Sequence, residues 1–433
     1  MVFAVARLYC LIPEVADRTA ETAAAGILVQ KRMYHPTIST WRKCTCMDFL
    51  ASVRNVLTIG VAAIGTMAAA QTQTPATPAT PAAAAAPAAP SPRPWHVGPL
   101  DVTGFVDGYY TYNANDPTEA ANGKTNDLYN FNDDANQPGL SAAKLTLNHD
   151  PAPFGAHFDF VYGRTNRLIN APNQLEYVEQ AYISAKPPAA HGLELDLGKF
   201  VTSAGAEVIE AKDNWNYSRS LLFAWAIPYW HFGLRSSLPV TKTETIGFQV
   251  VNGWNNMIHD TGGVTGGFTS ALTEAKYALN LNIYTGPADV PGQNAYRNLL
   301  DATLLLTPNS KFNSYINFDF GNNKNTASNG MGVNGENYWD GIALAAHDQV
   351  TSAMALAGRL EVFNDQNGFA TGTAQTVKEF TGTYEYKWKL GLLSRMEFRR
   401  DWSDTPFFHT ESGMTNAQST ASVGFIWVFT PKL

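Results

Sequence analysis

The sequence predicts an all-β fold: a transmembrane antiparallel up-and-down β-barrel of about sixteen strands, with short turns at one end and long loops at the other. Three observations predict it. Alternating apolar and polar residues recur from residue 100 onward, connections of two length classes take turns along the chain, and aromatic residues recur at strand ends. Side chains alternate across a pleated strand. "KFNSYINFDFGN" (Lys311 to Asn322) therefore puts Phe312, Ser314, Ile316, Phe318 and Phe320 on one face, and Asn313, Tyr315, Asn317 and Asp319 on the other.

Composition agrees. Of 433 residues, 15% are charged and 12% aromatic, and the 34 glycines suit many turns better than a helical enzyme. A formal charge of -7 argues against nucleic acid as a partner, because phosphate binding needs a basic surface. All three cysteines (Cys10, Cys44, Cys46) fall before residue 47, too few for a metal site, and the rest of the chain is thiol-free, as export permits.

Four segments are expected. "MDFLASVRNVLTIGVAAIGTMAAAQ" (Met47 to Gln71) has the charge, apolar run and small-residue end of a secretory signal over 47–70, too short for a membrane span. A signal belongs at an N-terminus, so the hypothesis is that translation starts at Met47 or Met33 and that 1–46 is an upstream segment. Native N-terminal peptides from residues 1–32 would overturn it. Residues 71–99, opening on "QTQTPATPATPAAAAAPAAPSPRP", are Pro/Ala-rich and free of acids through Pro94, and predict an extended linker. Residues 100–433 form the barrel.

The predicted strands are 100–113, 139–149, 154–165, 175–186, 193–202, 230–240, 244–255, 264–272, 274–286, 297–308, 311–322, 338–350, 352–365, 377–388, 390–403 and 417–429. "KEFTGTYEYKW" alternates cleanly, with Phe380, Tyr384, Tyr386 and Trp388 opposing Glu379, Thr381, Thr383, Glu385 and Lys387. "YALNLNIY" and "MALAGRLEVF" behave alike, whereas 175–186 alternates poorly and Lys199 breaks its strand's pattern. Short turns near 150–153, 187–191, 241–243, Glu274, 308–310, Thr351 and Lys389 alternate with long connections over 114–138, 166–174, 203–229, 256–263, 287–296, 323–337, 366–376 and 404–416. That alternation requires the strand at 264–272, which its own sequence supports weakly. Short turns on one side and long loops on the other are the habit of outer-membrane barrels.

In a barrel this wide the interior is too large to fill with strand side chains, so inward residues can be polar while the apolar face meets lipid. A soluble sandwich would reverse that arrangement. Tyr109, Tyr110, Tyr162, Trp254, Tyr284, Trp339, Tyr386, Trp388, Trp402 and Trp427 are expected in interfacial girdles. A closed barrel also pairs every backbone polar group, as hydrocarbon demands.

Candidate lumen residues for ion selectivity are Asp107, Asp159, Arg359, Glu361, Glu385, Arg395, Glu397 and Arg399, within a wider mixed set that includes Asp101, Lys144, Glu194, Asp196, Asp301, Asp319 and Glu379. Either they form a selectivity field, with acids in excess favouring cations weakly, or they are merely solvated. The candidate constriction element is 203–229, which mixes Glu207, Glu210, Lys212, Asp213 and Arg219 with apolar "LLFAWAI". It folds into the lumen, packs on a neighbouring subunit, or in part begins the next strand. "LYNFNDDANQPG" (Leu128 to Gly139) and "NDQNG" (Asn364 to Gly368) are rich in oxygen ligands but lack EF-hand spacing, and read as solvated loops. "GGVTGG" (Gly262 to Gly267) reads as a flexible turn, and the histidines and serines form no catalytic motif.

The opening strand "GFVDGYYTYN" (Gly104 to Asn113), "EVIEAKDNWNYSRSLLF" (Glu207 to Phe223) and "IPYWHFGLR" (Ile227 to Arg235) resemble the OmpL-like β-barrel porins of Gram-negative bacteria, over roughly Leu100 to Leu433. The resemblance implies an outer-membrane barrel and a passive channel, with no catalytic residues and no defined substrate; the sequence itself offers no cofactor or metal motif. One departure is the end, where Val423, Phe425, Trp427 and Phe429 alternate but the chain continues to Leu433. The expected function is passive diffusion of ions and small hydrophilic solutes across a bacterial outer membrane, with lipid as the surrounding partner and a homotrimer as one open assembly. The competing classes are an anchor or adhesion barrel and a phospholipase-like outer-membrane enzyme.

Overall fold

The computed structural model describes residues 95–170, 175–258, 263–288, 295–326 and 335–429. The predicted upstream segment, the signal and the linker as far as Pro94 lie outside the described residues. The expected linker ends earlier than residue 99. Trp95–Val97 form a short strand (β1) that pairs back onto Leu100–Val102, because Gly98 adopts the left-handed conformation of a tight turn.

Sixteen strands then meander around a closed antiparallel barrel. They are β2 (Leu100–Asn113), β3 (Pro138–His149), β4 (Phe154–Tyr162), β5 (Val178–Ala185), β6 (Glu194–Val201), β7 (Trp230–Pro239), β8 (Glu244–Val251) and β9 (Thr265–Thr273), followed by β10 (Tyr277–Pro287), β11 (Tyr296–Leu306), β12 (Phe312–Thr326), β13 (Gly335–Asp348), β14 (Met354–Asp365), β15 (Gln375–Lys387), β16 (Leu392–Ser403) and β19 (Ala417–Val428). Each pairs with its sequence neighbour, and β19 closes on β2 from Thr420–Asn113 to Val428–Phe105. A two-residue ribbon, β17 (Phe408–His409) with β18 (Met414–Thr415), decorates the last long loop. The strand inferred from the alternation of turns exists as β9, paired with β8 and β10.

Burial alternates with the phase the sequence predicts. On β15 and β16, Phe380, Met396 and Phe398 are exposed on the outside, while Glu379, Thr381, Arg395, Glu397 and Arg399 are buried inside. On β12, Ile316 faces out and Asn313, Tyr315, Asn317 and Asp319 face in. Exposed Tyr110, Tyr162, Trp388 and Trp427 fit the expected girdle. Tyr109, Tyr284 and Trp339 do not: they are buried in the interior, and Trp254 packs edge-on to Trp339 there. Adjacent strand residues cannot share a face, so Tyr109 and Tyr110 divide between lumen and lipid.

Among the described residues the register shifts at three places, once at the end of β12 between Lys324 and Thr326 and twice early in the barrel. Asp107 pairs with Ala142 and Gly108 with Leu140, which leaves Ser141 as the extra residue. Asp159 pairs with Gln180 and Phe160 with Val178, which leaves Glu179. A bulge sets two residues against one and re-aims a side chain. Glu179 thereby turns inward beside Lys144, and the poor alternation of 175–186 has its cause. Lys199 is the other irregularity. In an outward-phase position it is still fully buried, with Nζ donating to Asn170 Oδ1 and the Val178 carbonyl and lying 4.1 Å from the Trp230 ring centroid.

Candidate functional site

The segment between β6 and β7 runs through the barrel interior. Its side chains and backbone meet β10 at Asn282, β12 at Asn317, β14 at Arg359, β16 at Glu397, β2 at Asp107 and β3 at Lys144. Of the three readings of 203–229, the lumen is therefore the one realised, and β7 begins only at Trp230.

An irregular segment inside a barrel has no ladder to receive its backbone groups, yet buried N–H and C=O groups need partners. The wall supplies them. Glu397 accepts the N–H groups of Tyr217 (2.5 Å) and Ser218 (2.9 Å), and Glu361 those of Leu221 (3.1 Å) and Leu222 (3.3 Å). Glu207, on the loop itself, accepts from Ser220 N (2.6 Å). The carbonyls take cations: Arg359 donates to Ser218 O (2.8 Å), Arg399 to Arg219 O (2.7 Å), and Arg395 to the carbonyls of Ala211, Asn214 and Asn216. Arg219 donates back to Tyr217 O (2.7 Å) and Ile209 O. Acids take the loop's donors and arginines its acceptors, which gives the mixed charge of the wall a physical cause.

The charges also satisfy one another. Arg359 lies between Glu207 (2.7 Å), Glu361 (2.8 Å) and Glu379 (2.9 Å), Arg395 pairs with Glu385 (2.7 Å), and Arg399 pairs with Asp401 (2.7 Å). Lys144 gathers Asp159 (2.9 Å), Glu179 (3.0 Å) and Glu210. The oxygens of those three acids lie within 4.8 Å of one another, a metal-like grouping, but the lysine ammonium holds the position among them. Burial alone would raise the Glu210 carboxyl; the Lys144 charge, with Lys212 behind it, overrides that and holds it at about 2. Tyr217 is pushed well up by burial and by Asp107, so its hydroxyl stays a donor to that carboxylate (2.7 Å).

The apolar residues of the loop fill an interior core. Phe223 packs with Phe131 and Tyr229 at ring-centroid distances of 6.2 and 5.7 Å, and Leu221 and Leu222 are fully buried. Wall glycines make the hollows: a Cβ on Gly424 would lie 2.3 Å from the Tyr217 ring, and one on Gly341 2.8 Å from Leu222. Leu128–Gly139 proves to be no solvated loop. Phe131 is fully buried, Tyr129 donates or accepts a hydroxyl bond with Thr420 (2.5 Å), and the Arg399 guanidinium lies 4.4 Å from the Tyr129 ring centroid, so this first long loop covers the second. "NDQNG" is a turn closed on Asp365, which accepts from the N–H groups of Phe369, Ala370 and Thr371.

All eight candidate selectivity residues are thus inward and buried, and each either touches the docked loops or pairs with a residue that does. Among the five loop candidates, Glu207, Glu210 and Arg219 face the wall or the loop core, while Asp213 is the more exposed and pairs with neighbouring Lys212. Glu179, Lys199 and Asp401 were not singled out from the sequence as site residues. The irregular alternation of 175–186 was the available signal for Glu179.

A closed sixteen-stranded barrel with an apolar outer wall, a charged interior and a loop docked within it defines the porin class of membrane channel. Residues 99–429 match the family described as "Putative beta-barrel porin-2, OmpL-like", and the chain belongs to that family of outer-membrane porins. No curated protein matches the chain in sequence. Among solved structures, the anion-selective porin from Comamonas acidovorans is similar at 12% identity and a TM-score of 0.53, covering 76% of this chain and 99% of that one. The outer membrane channel DcaP of Acinetobacter baumannii gives 9%, 0.53, 76% and 97%. OmpF of Salmonella typhi, solved with daunomycin, gives 14%, 0.52, 76% and 97%. Likeness at these identities establishes the fold.

Proposed function

We propose that this porin lets ions and small hydrophilic solutes diffuse passively across a bacterial outer membrane, without catalysis, through a lumen constricted by residues 203–229. The observation that carries the reading is the docking of that loop: its backbone is bonded to carboxylates and arginines of the wall from inside the barrel. Asp107, Asp159, Arg359, Glu361, Glu385, Arg395, Glu397 and Arg399 act first as its anchors. The buried charged residues are acid-rich, which supports a weak preference for cations through the field they leave over the passage. Lipid surrounds the wall, and a homotrimer is the assembly we would test.

The test is single-channel conductance of refolded protein in a planar bilayer under a salt gradient. Stable steps with a cation-signed reversal potential support the reading. Folded protein that gives no steps would replace it with an anchor barrel, whose interior loops would then be a plug.

A further inference from the structure

One part of the interior lacks the charge balance found elsewhere. Asp301 on β11 and Asp319 on β12 are cross-strand partners, both fully buried, with carboxyl groups within hydrogen-bond reach of each other. Asp301 accepts from Asn282 Nδ2 (2.7 Å) and Asn317 Nδ2 (2.9 Å), whereas neither oxygen of Asp319 receives a donor. Among the described residues, neither acid forms an ion pair. Among the described residues, the other interior carboxylates of the clamp have an arginine, a lysine or backbone N–H groups, except Asp107, which accepts from the Tyr217 hydroxyl.

A second observation points at the same place. Thr303 stands two residues from Asp301 on the same face, opposite Asn317, and its hydroxyl is fully buried without a partner. Asn282, Asp301 and Asp319 form one row of this wall, and Asn280, Thr303 and Asn317 the next. The root of the docked loop roofs the block: Ser203 donates to Asn282 (2.8 Å), Gly205 N–H to Asp301, and Ala206 N–H to Asn317 (3.3 Å).

Two carboxyls this close cannot both stay ionised in a buried site unless a positive charge joins them. We propose that Asp301 and Asp319, with the Thr303 hydroxyl beside them, bind a divalent cation of the calcium type beneath the root of the 203–229 loop. Two carboxylates balance one divalent charge, whereas a monovalent ion would leave a net buried negative charge. The donors are hard oxygens in an irregular array, which suits Ca²⁺ better than the strict octahedron of Mg²⁺. The cation ties β11 to β12 where the loop leaves the wall, and so acts as a lock on the constriction. This reading goes beyond passive diffusion and does not depend on whether the channel conducts.

The experiment uses full-length protein refolded in detergent, stripped with EDTA and equilibrated with CaCl₂. Bound metal is counted by mass spectrometry, and thermal unfolding is followed with and without Ca²⁺. We expect one Ca²⁺ per chain and an upward shift in Tm. D301N and D319N should each weaken binding at least tenfold, and T303V by a smaller factor. The heat-dependent shift of folded barrel on a gel confirms that each variant folds. The proposal is overturned if folded wild type binds no Ca²⁺ at millimolar concentration, which would mean that a proton joins the carboxyls. It is overturned equally if binding survives unchanged in D319N, which would move the ion to Asp159, Glu179 and Glu210. Should the Asp variants fail to fold, the wild-type metal count and T303V decide.

Discussion

Replacing Arg359 with Met should release the docked loop while leaving the barrel standing. Arg359 is fully buried, and its removal strands Glu207, Glu361 and Glu379 without their shared cation while Ser218 O loses its donor. Breaking a buried pair from one side costs roughly 3–5 kcal/mol. The strand ladders on either side of Arg359, to β13 and β15, are backbone bonds that Met preserves. The cost therefore falls on docking, and every 1.4 kcal/mol is tenfold in an equilibrium, so the docked population should drop on the order of a hundredfold to a thousandfold relative to the undocked one. The assay pairs the gel shift of folded barrel with planar-bilayer recording. R359M should fold and show larger or flickering conductance steps. Folded R359M with wild-type conductance and noise would refute the claim that this clamp sets the constriction.

The remaining expectations follow from the same geometry. Glu210 is ionised more easily in the docked loop than in a free one, so its contribution is complete above its ordinary value of 4.5 and lost as pH falls toward about 2; conductance should be steady from pH 7 to 5 and rise or flicker below, and a flat record down to pH 2.5 would contradict it. Gly424→Val places a side chain where the Tyr217 ring sits, an overpacking worth about 1–3 kcal/mol that should open the channel as R359M does, measured by conductance of folded protein. Met396→Arg sets a charge on the exposed outer wall and should lower stability in lipid vesicles by about 2–4 kcal/mol if the site is near the midplane, read by denaturant unfolding. Tyr217→Phe removes a hydroxyl from buried Asp107 and should cost about 1.5–3 kcal/mol of docking, visible as altered conductance with an unchanged gel shift.

Most of the barrel was legible because lipid and water impose opposite demands on the two faces of a strand, and a period of two records them residue by residue. β2 runs over the expected 100–113, and β9 was found from the alternation of turns although "TGGFTSALT" carries little pattern of its own. The inward charges were legible for the same reason. Their partners were not. Whether Glu397 meets water or the N–H groups of Tyr217 and Ser218 depends on where a segment 180 residues away comes to rest, and no local periodicity encodes that. Bulges are similarly silent: Glu179 sits out of phase, so alternation hides it and registers only as a poor pattern. Trp254, Tyr284 and Trp339 were assigned to girdles because aromatic residues near strand ends suit lipid interfaces and interior cores alike, and only the register tells them apart.

The docked loop also constrains the order of assembly. It lies near the middle of the chain, whereas Arg359, Glu361, Arg395, Glu397 and Arg399 come 130 or more residues later. Until β13 and β14 exist, Leu221 and Leu222 lack the wall that seats them, and a half-made barrel presents them bare together with two open strand edges. Contacts of such separation form late. The seam between β19 and β2 joins residues more than 300 positions apart, so closing it before the loop is seated would shut the loop outside. A release of apolar, chaperone-binding surface that coincides with seam closure is the signature this sequence of events would leave during biogenesis.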